Sequence, residues 1–242
     1  MAGTTHSAQA IQAAVTAVAR YDYGQRRTPL VALEKLINAT YGDREARTRM
    51  EAAMVELLDS NATVAAKQFV CKKLWIMGTA ASIPALEKLL VGSDPVLAEA
   101  ACYALRTQES ELAGAALRRA IAKAKGTSLA AIVTLLGDKR DAAAVSRIGP
   151  VCMSEDEVVS SAAIAALGKI ASPDAVDALS QMHQGQHRGR RANASHALLQ
   201  CGQELEKRRE LAAARRVYGL LTGDSEASHV RRGAQAGVQR CA

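Results

Sequence analysis

The chain has 242 residues, of which 49% are apolar but only 3% aromatic, and it carries a formal net charge of +7. That length holds one or two domains. Alanine and leucine dominate the apolar set and β-branched runs are scarce, which disfavours strands and points to an all-α protein. No run approaches the roughly 20 apolar residues that span a bilayer. The opening MAGTTHSAQAIQAAVTAVAR lacks the basic and apolar regions of a signal peptide, so a cytoplasmic protein with no membrane partner is expected.

The first 42 residues predict a divergent helix pair, AQAIQAAVTAVARY and TPLVALEKLINATY. From residue 43 the chain repeats. LGDKRDAAAVSRI, beginning at Leu136, aligns with LGKIASPDAVDAL, beginning at Leu167, at an offset of 31 residues. Further copies end in LWIMG at Gly78 and LLQCG at Gly202, and AEAACYALRTQ supplies a middle copy that lacks the glycine. Each unit reads as a helix A, a short turn and a helix B. Helix A is expected at 45–59, 82–91, 111–124, 142–153, 174–183 and 204–221. Helix B is expected at 63–77, 96–107, 127–136, 157–170, 190–201 and 227–241.

Within helix B, one residue before the glycine stand Met77, Leu136, Leu167 and Cys201; four before it stand Leu74, Val133, Ile164 and Leu198. Eight before it stand Val70, Leu129, Ser160 and Ala194. These steps mark one buried face of a 3.6-residue period. The glycine is expected to end each helix in the left-handed conformation. Pro84 and Pro173 suit helix starts, Asp94 and Asp156 suit N-caps, and Pro150 should kink or break its helix after Gly149, a kink being the ordinary outcome in a solenoid. Such pairs bury their apolar faces only against neighbouring pairs, so the expected architecture is an α-solenoid of six to seven antiparallel helix pairs in one domain, 1–242.

The segments DPVLAEAACYAL and DEVVSSAAIAALGKIASPDAVDALSQM resemble HEAT repeats, in particular the short alanine-rich repeats of the phycobilisome-lyase type, over about 45–242. The resemblance implies a continuous right-handed superhelix with helix B on its concave side. It says little about chemistry, because the repeat specifies packing. Deoxyhypusine hydroxylase, a related repeat enzyme, holds di-iron with His-Glu pairs, and this chain has no such dipeptide. The HEAT-like DNA glycosylases need aromatic residues around an acidic one; Trp75 is the lone Trp and is expected to be partly buried in its helix pair. The bilin lyases share the spacing, but none of their catalytic residues can be matched.

No catalytic residue, metal site or cofactor is therefore assigned. The five cysteines lack CxxC spacing and read as small core residues in a reducing compartment. His183 and His187 stand four apart, but within MHQGQHRGR they read as exposed loop histidines.

The charge is uneven: residues 1–180 hold 20 Lys/Arg against 19 Asp/Glu, and residues 181–242 hold 11 against 5. Arg188, Arg190, Arg191, Arg231 and Arg232 form the candidate patch, with Arg191 and Arg231 at equivalent repeat positions. Such a patch suits a protein partner with an acidic or phosphorylated segment. Nucleic acid is the weaker alternative, since few aromatics are interleaved for stacking. The expected function is a non-catalytic scaffold that binds a protein partner on its concave face and basic C-terminal repeats; the alternatives are a nucleic-acid-binding or repair protein of the glycosylase type and a subunit of a lyase-type complex. The polar last helix serves either as a capping repeat or as the cut end of a longer array.

Overall fold

The computed structural model describes residues 7–242, which form fourteen α-helices and no strand. His6 lies outside the described residues. The helices are α1 (Ala8–Ala19), α2 (Thr28–Ala39), α3 (Arg44–Asp59), α4 (Val64–Met77), α5 (Ile83–Leu90), α6 (Pro95–Leu105) and α7 (Glu111–Ala120). They continue as α8 (Gly126–Asp138), α9 (Val145–Val151), α10 (Glu157–Ile170), α11 (Pro173–Gln184), α12 (Arg188–Lys207), α13 (Leu211–Gly219) and α14 (Ser228–Arg240). Single 3-10 turns precede α5 and α9. The chain divides into two compact units, one ending at Ala116 and the other running from Leu117 to Ala242.

Local signals start the helices where the sequence places them. Asp94 accepts from the Val96 amide at 2.9 Å and Asp156 from the Val158 amide at 2.9 Å. These bonds satisfy amides that have no partner within the helix. Proline occupies the first turn of α2, α5, α6 and α11, where its missing N–H costs nothing.

In the first unit, α4 packs on α6 and α1 packs on α2 and α3. The buried Glu51 of α3 accepts from the Thr79 amide at 2.6 Å and from its hydroxyl at 2.9 Å, tying α3 to the turn after α4. In the second unit the even-numbered helices α8, α10 and α12 pack side by side, with α11 and α13 against α12. The helix-B face is buried as expected at every aligned position except Leu129, which is half-buried. Hydrogen bonds repeat the sequence offset: Lys169 to Asp138 at 2.7 Å, Asn193 to Ser161 at 3.0 Å, and Thr107 to the Trp75 carbonyl at 2.6 Å.

Of the four aligned glycines, Gly78 ends its helix, capping α4 in an extended rather than left-handed conformation, and the other three do not. Gly137, Gly168 and Gly202 lie inside α8, α10 and α12. The left-handed residues that follow these three helices are instead Arg140 (φ 52°), Ala171 (φ 50°) and Arg209 (φ 63°). At Arg140 the following amide, Asp141 N, donates to the Leu136 carbonyl (3.1 Å), and at Arg209 Glu210 N donates to that of Leu205 (2.9 Å), a Schellman closure in both cases. The glycines are needed for close approach instead. A Cβ on Gly137 would lie 2.7 Å from Ala166 Cα, and one on Gly168 would lie 2.9 Å from the Ala197 carbonyl oxygen.

Two helix boundaries also differ from expectation. Because Gly202 is no stop, α12 runs on to Lys207 and α13 begins only at Leu211, so 204–221 is not one helix. The helix expected at 142–153 is a 3-10 turn, Ala142–Ala144, followed by α9, which holds Pro150 and ends one residue beyond it. Proline removes a donor from the last turn, and α9 closes through Cys152 N to the Ile148 carbonyl at 3.2 Å.

Candidate functional site

Gly185 ends α11 in an extended conformation, and the chain turns through Gln186 into α12. His187 caps α12 by accepting the Arg190 amide on Nδ1 at 3.2 Å. The cap fixes the phase of the helix. Arg188, Arg191 and Ser195 then fall three and four residues apart, on one face. Opposite them stand the turn Ser225–Glu226–Ala227 and Val230 of α14. Together they enclose a cavity of about 370 Å³ whose rim carries His196. The His196 ring lies against that of His229, with centroids 5.1 Å apart.

The cavity holds an ionised carboxylate in its wall. The Glu226 side chain is only 5% exposed, and its Oε1 lies 2.7 Å from Nε2 of His183, which is itself 14% exposed. Burial pushes the Glu226 carboxyl up. The hydrogen bonds from His183 and Ser195 and the nearby His183 and Arg191 charges overcome that and hold it below its ordinary value. His183 is therefore a helical, largely buried residue of α11 rather than an exposed loop histidine. Its partner is 43 residues away in sequence, which no local pattern reveals.

The five candidate arginines divide into distinct roles. Arg188 and Arg191 line the cavity and form no ion pair among the described residues. Arg190 turns away and donates to the carbonyls of Met153 (3.0 Å) and Ser154 (3.2 Å), just beyond α9. Arg231 pairs with Asp224 at 2.7 Å, and Arg232 is exposed on α14. Other basic residues of this region are also engaged. Arg208 donates to the Ile170 carbonyl at 2.8 Å at the end of α10, and Arg240 binds Glu206 through two nitrogens at 2.7 and 3.0 Å.

Cavities elsewhere are larger but less convergent. One of about 850 Å³ in the first unit is lined by Arg44, Arg47, Glu51, Glu56 and Thr79, and the Glu51 carboxylate there is already occupied by Thr79. A neighbour of about 590 Å³ exposes Tyr41 and Ile76 beside Arg47. Trp75 is half-buried, as expected, with its ring 5.2 Å from that of Tyr103. Its indole N–H lacks a hydrogen-bond partner among the described residues. All five cysteines are buried and free, and burial pushes the thiols of Cys71, Cys102, Cys152 and Cys201 up to about 12. Among the described residues no three His, Cys, Asp or Glu side chains group as metal ligands, and no helix is long and apolar enough to cross a membrane.

Residues 125–199 match the family of HEAT repeats. Among curated proteins none matches the chain. Among solved structures, the complex of CpcE and CpcF of phycocyanin lyase from Nostoc sp. PCC7120 is similar over 93% of each chain, with 18% identity and a TM-score of 0.46. A designed armadillo repeat protein in complex with the peptide (KR)4 is similar over 96% of this chain and 99% of its own, with 17% identity and a TM-score of 0.35.

Proposed function

We propose that this HEAT-repeat protein, with its repeats matched over residues 125–199, is a non-catalytic scaffold that holds an acidic or phosphorylated segment of a protein partner on its last repeats. The observation that carries this reading is one cavity lined by two arginines, Arg188 and Arg191, that no carboxylate of the described residues neutralises at ion-pair distance. Guanidinium groups left unpaired on a rigid helix are pre-organised for carboxylate or phosphate oxygens. The stacked helices supply that rigidity, since α12 is clamped by α10, α11 and α13.

The test is fluorescence anisotropy with a labelled hexaglutamate peptide and the full chain. The double variant R188E/R191E should weaken binding about tenfold or more, because each change replaces attraction by repulsion. R190A and R231A should bind almost normally, since those side chains are turned to carbonyls and to Asp224. Undiminished binding by R188E/R191E would refute the reading. Tighter binding of an unrelated single-stranded oligonucleotide than of the peptide would favour the nucleic-acid alternative.

A further inference from the structure

Aromatic side chains are scarce in this chain and unevenly placed. Six of the seven, Tyr21, Tyr23, Tyr41, Phe69, Trp75 and Tyr103, lie in the first unit. The seventh, Tyr218, is fully buried, whereas Tyr41 is 86% exposed, more than any other large apolar side chain among the described residues. Ile76 of α4 is 64% exposed, and with Tyr41 and the buried Ile37 it lines the cavity of about 590 Å³. An apolar rim of this kind, left open by the fold and containing tyrosine, is the composition of an interaction surface.

The charges beside the rim favour one sign. Helix α4 carries Lys67, Lys72 and Lys73 and no acidic residue. Lys73 is taken by Glu34 of the same cavity wall, at 2.6 Å. Lys72 is exposed four residues before Ile76, on the same side of α4, and has no partner among the described residues. Arg47 of α3 lines the cavity, is half-buried and also forms no ion pair among the described residues. Asp43 and Glu51 stand four residues to either side of it, but each carboxylate is turned elsewhere. Asp43 accepts the Ala46 amide at 2.9 Å, and Glu51 accepts the Thr79 amide at 2.6 Å.

We propose that this rim docks an acidic segment of a partner protein anchored by one large apolar side chain. The anchor enters between Tyr41 and Ile76, and carboxylates on either side of it meet Arg47 and Lys72. The site lies in the first unit and does not depend on the reading of the last repeats. Tyrosine offers a large contact area with only two side-chain torsions to order, and the arginine fork matches a carboxylate. A short segment suits the site better than a nucleic acid. The first unit holds 12 Lys/Arg and 12 Asp/Glu, so it presents no net field to a long polyanion. Its positive charge is local, and salt screens charges beyond about 10 Å, so only carboxylates held close to the anchor feel it.

The probe is the labelled peptide GSEEFEESG, titrated by fluorescence anisotropy into the R188A/R191A chain, in which the last repeats lack both cavity arginines. It should bind about tenfold or more tighter than GSEESEESG, which lacks the anchor, and than GSKKFKKSG, which reverses the charge. Y41S/I76S should weaken it about tenfold or more while leaving the circular dichroism and urea midpoint unchanged, because both side chains are exposed. R47E should weaken it too and narrow the preference over GSKKFKKSG. The inference is overturned if Y41S/I76S binds the probe as its parent does, or if GSEESEESG binds as tightly as GSEEFEESG. Absence of saturable binding up to about 1 mM overturns it as well. So does self-association in sedimentation that Y41S/I76S abolishes, since a second copy would then cover the rim. Tighter binding of a single-stranded oligonucleotide than of the probe, lost in Y41S/I76S, would assign the rim to base stacking instead.

Discussion

Tyr218 shows how much one side chain can do in a chain so poor in aromatics. Its ring is fully buried in α13, pressed between two helices that present glycine to it. A Cβ on Gly202 of α12 would lie 2.3 Å from the ring, and one on Gly237 of α14 would lie 2.4 Å from it. The hydroxyl donates to Glu206 at 2.9 Å, and Arg240 grips the same carboxylate. Y218A should empty this slot and cost about 3–5 kcal/mol in urea unfolding. Y218F, which keeps the packing and loses one hydrogen bond, should cost only about 1 kcal/mol. Similar losses for the two variants would contradict the packing account. The slot was invisible in sequence, where Gly202 resembled a helix terminator and Tyr218 stood 16 positions away. The arginines were equally ambiguous. Arg190 and Arg191 are adjacent letters, but a turn of about 100° per residue sends one to the carbonyls after α9 and the other into the cavity.

Among the helices, glycine sets how closely neighbours approach. The 31-residue repeat and the buried faces of α4, α8, α10 and α12 were legible because periodicity reports which side of a helix is buried. The inter-helix distance was not, because it depends on what faces each glycine. This gives one substitution two opposite outcomes. G168A adds a Cβ 2.9 Å from the Ala197 carbonyl and 3.1 Å from its Cα, so α10 and α12 must separate. A net loss of about 1–3 kcal/mol is expected despite the better helix propensity. G219A, at the exposed last residue of α13, meets nothing within 4 Å and precedes no proline. There propensity acts alone, and a gain of about 0.5–1 kcal/mol is expected. Urea midpoints of the two single variants decide the matter, and a stabilised G168A would show that α10 and α12 have room to spare.

Across the whole molecule, the buried thiols link stability to pH. Cys71 and Cys102 lie in the first unit and Cys152 and Cys201 in the second, and burial pushes each up to about 12 from an ordinary value of 9.0. An acid whose folded pKa is raised stays protonated in the native state while the unfolded chain releases its proton. Above pH 9 the unfolded chain thus binds fewer protons than the folded one, and stability must fall as pH rises until the folded thiols ionise. Between pH 7.5 and 9.5 each thiol contributes a loss of somewhat under 1 kcal/mol, roughly 3 kcal/mol for the four. This window lies below the ordinary range of tyrosine and lysine, so the thiols dominate it. The check is urea unfolding at pH 7.5 and 9.5, comparing the wild-type chain with a variant in which these four cysteines are alanine. The variant starts from lower stability, because its core is less well filled, but should lose much less on moving to pH 9.5. An equal loss in both proteins would mean that the alkaline sensitivity arises elsewhere.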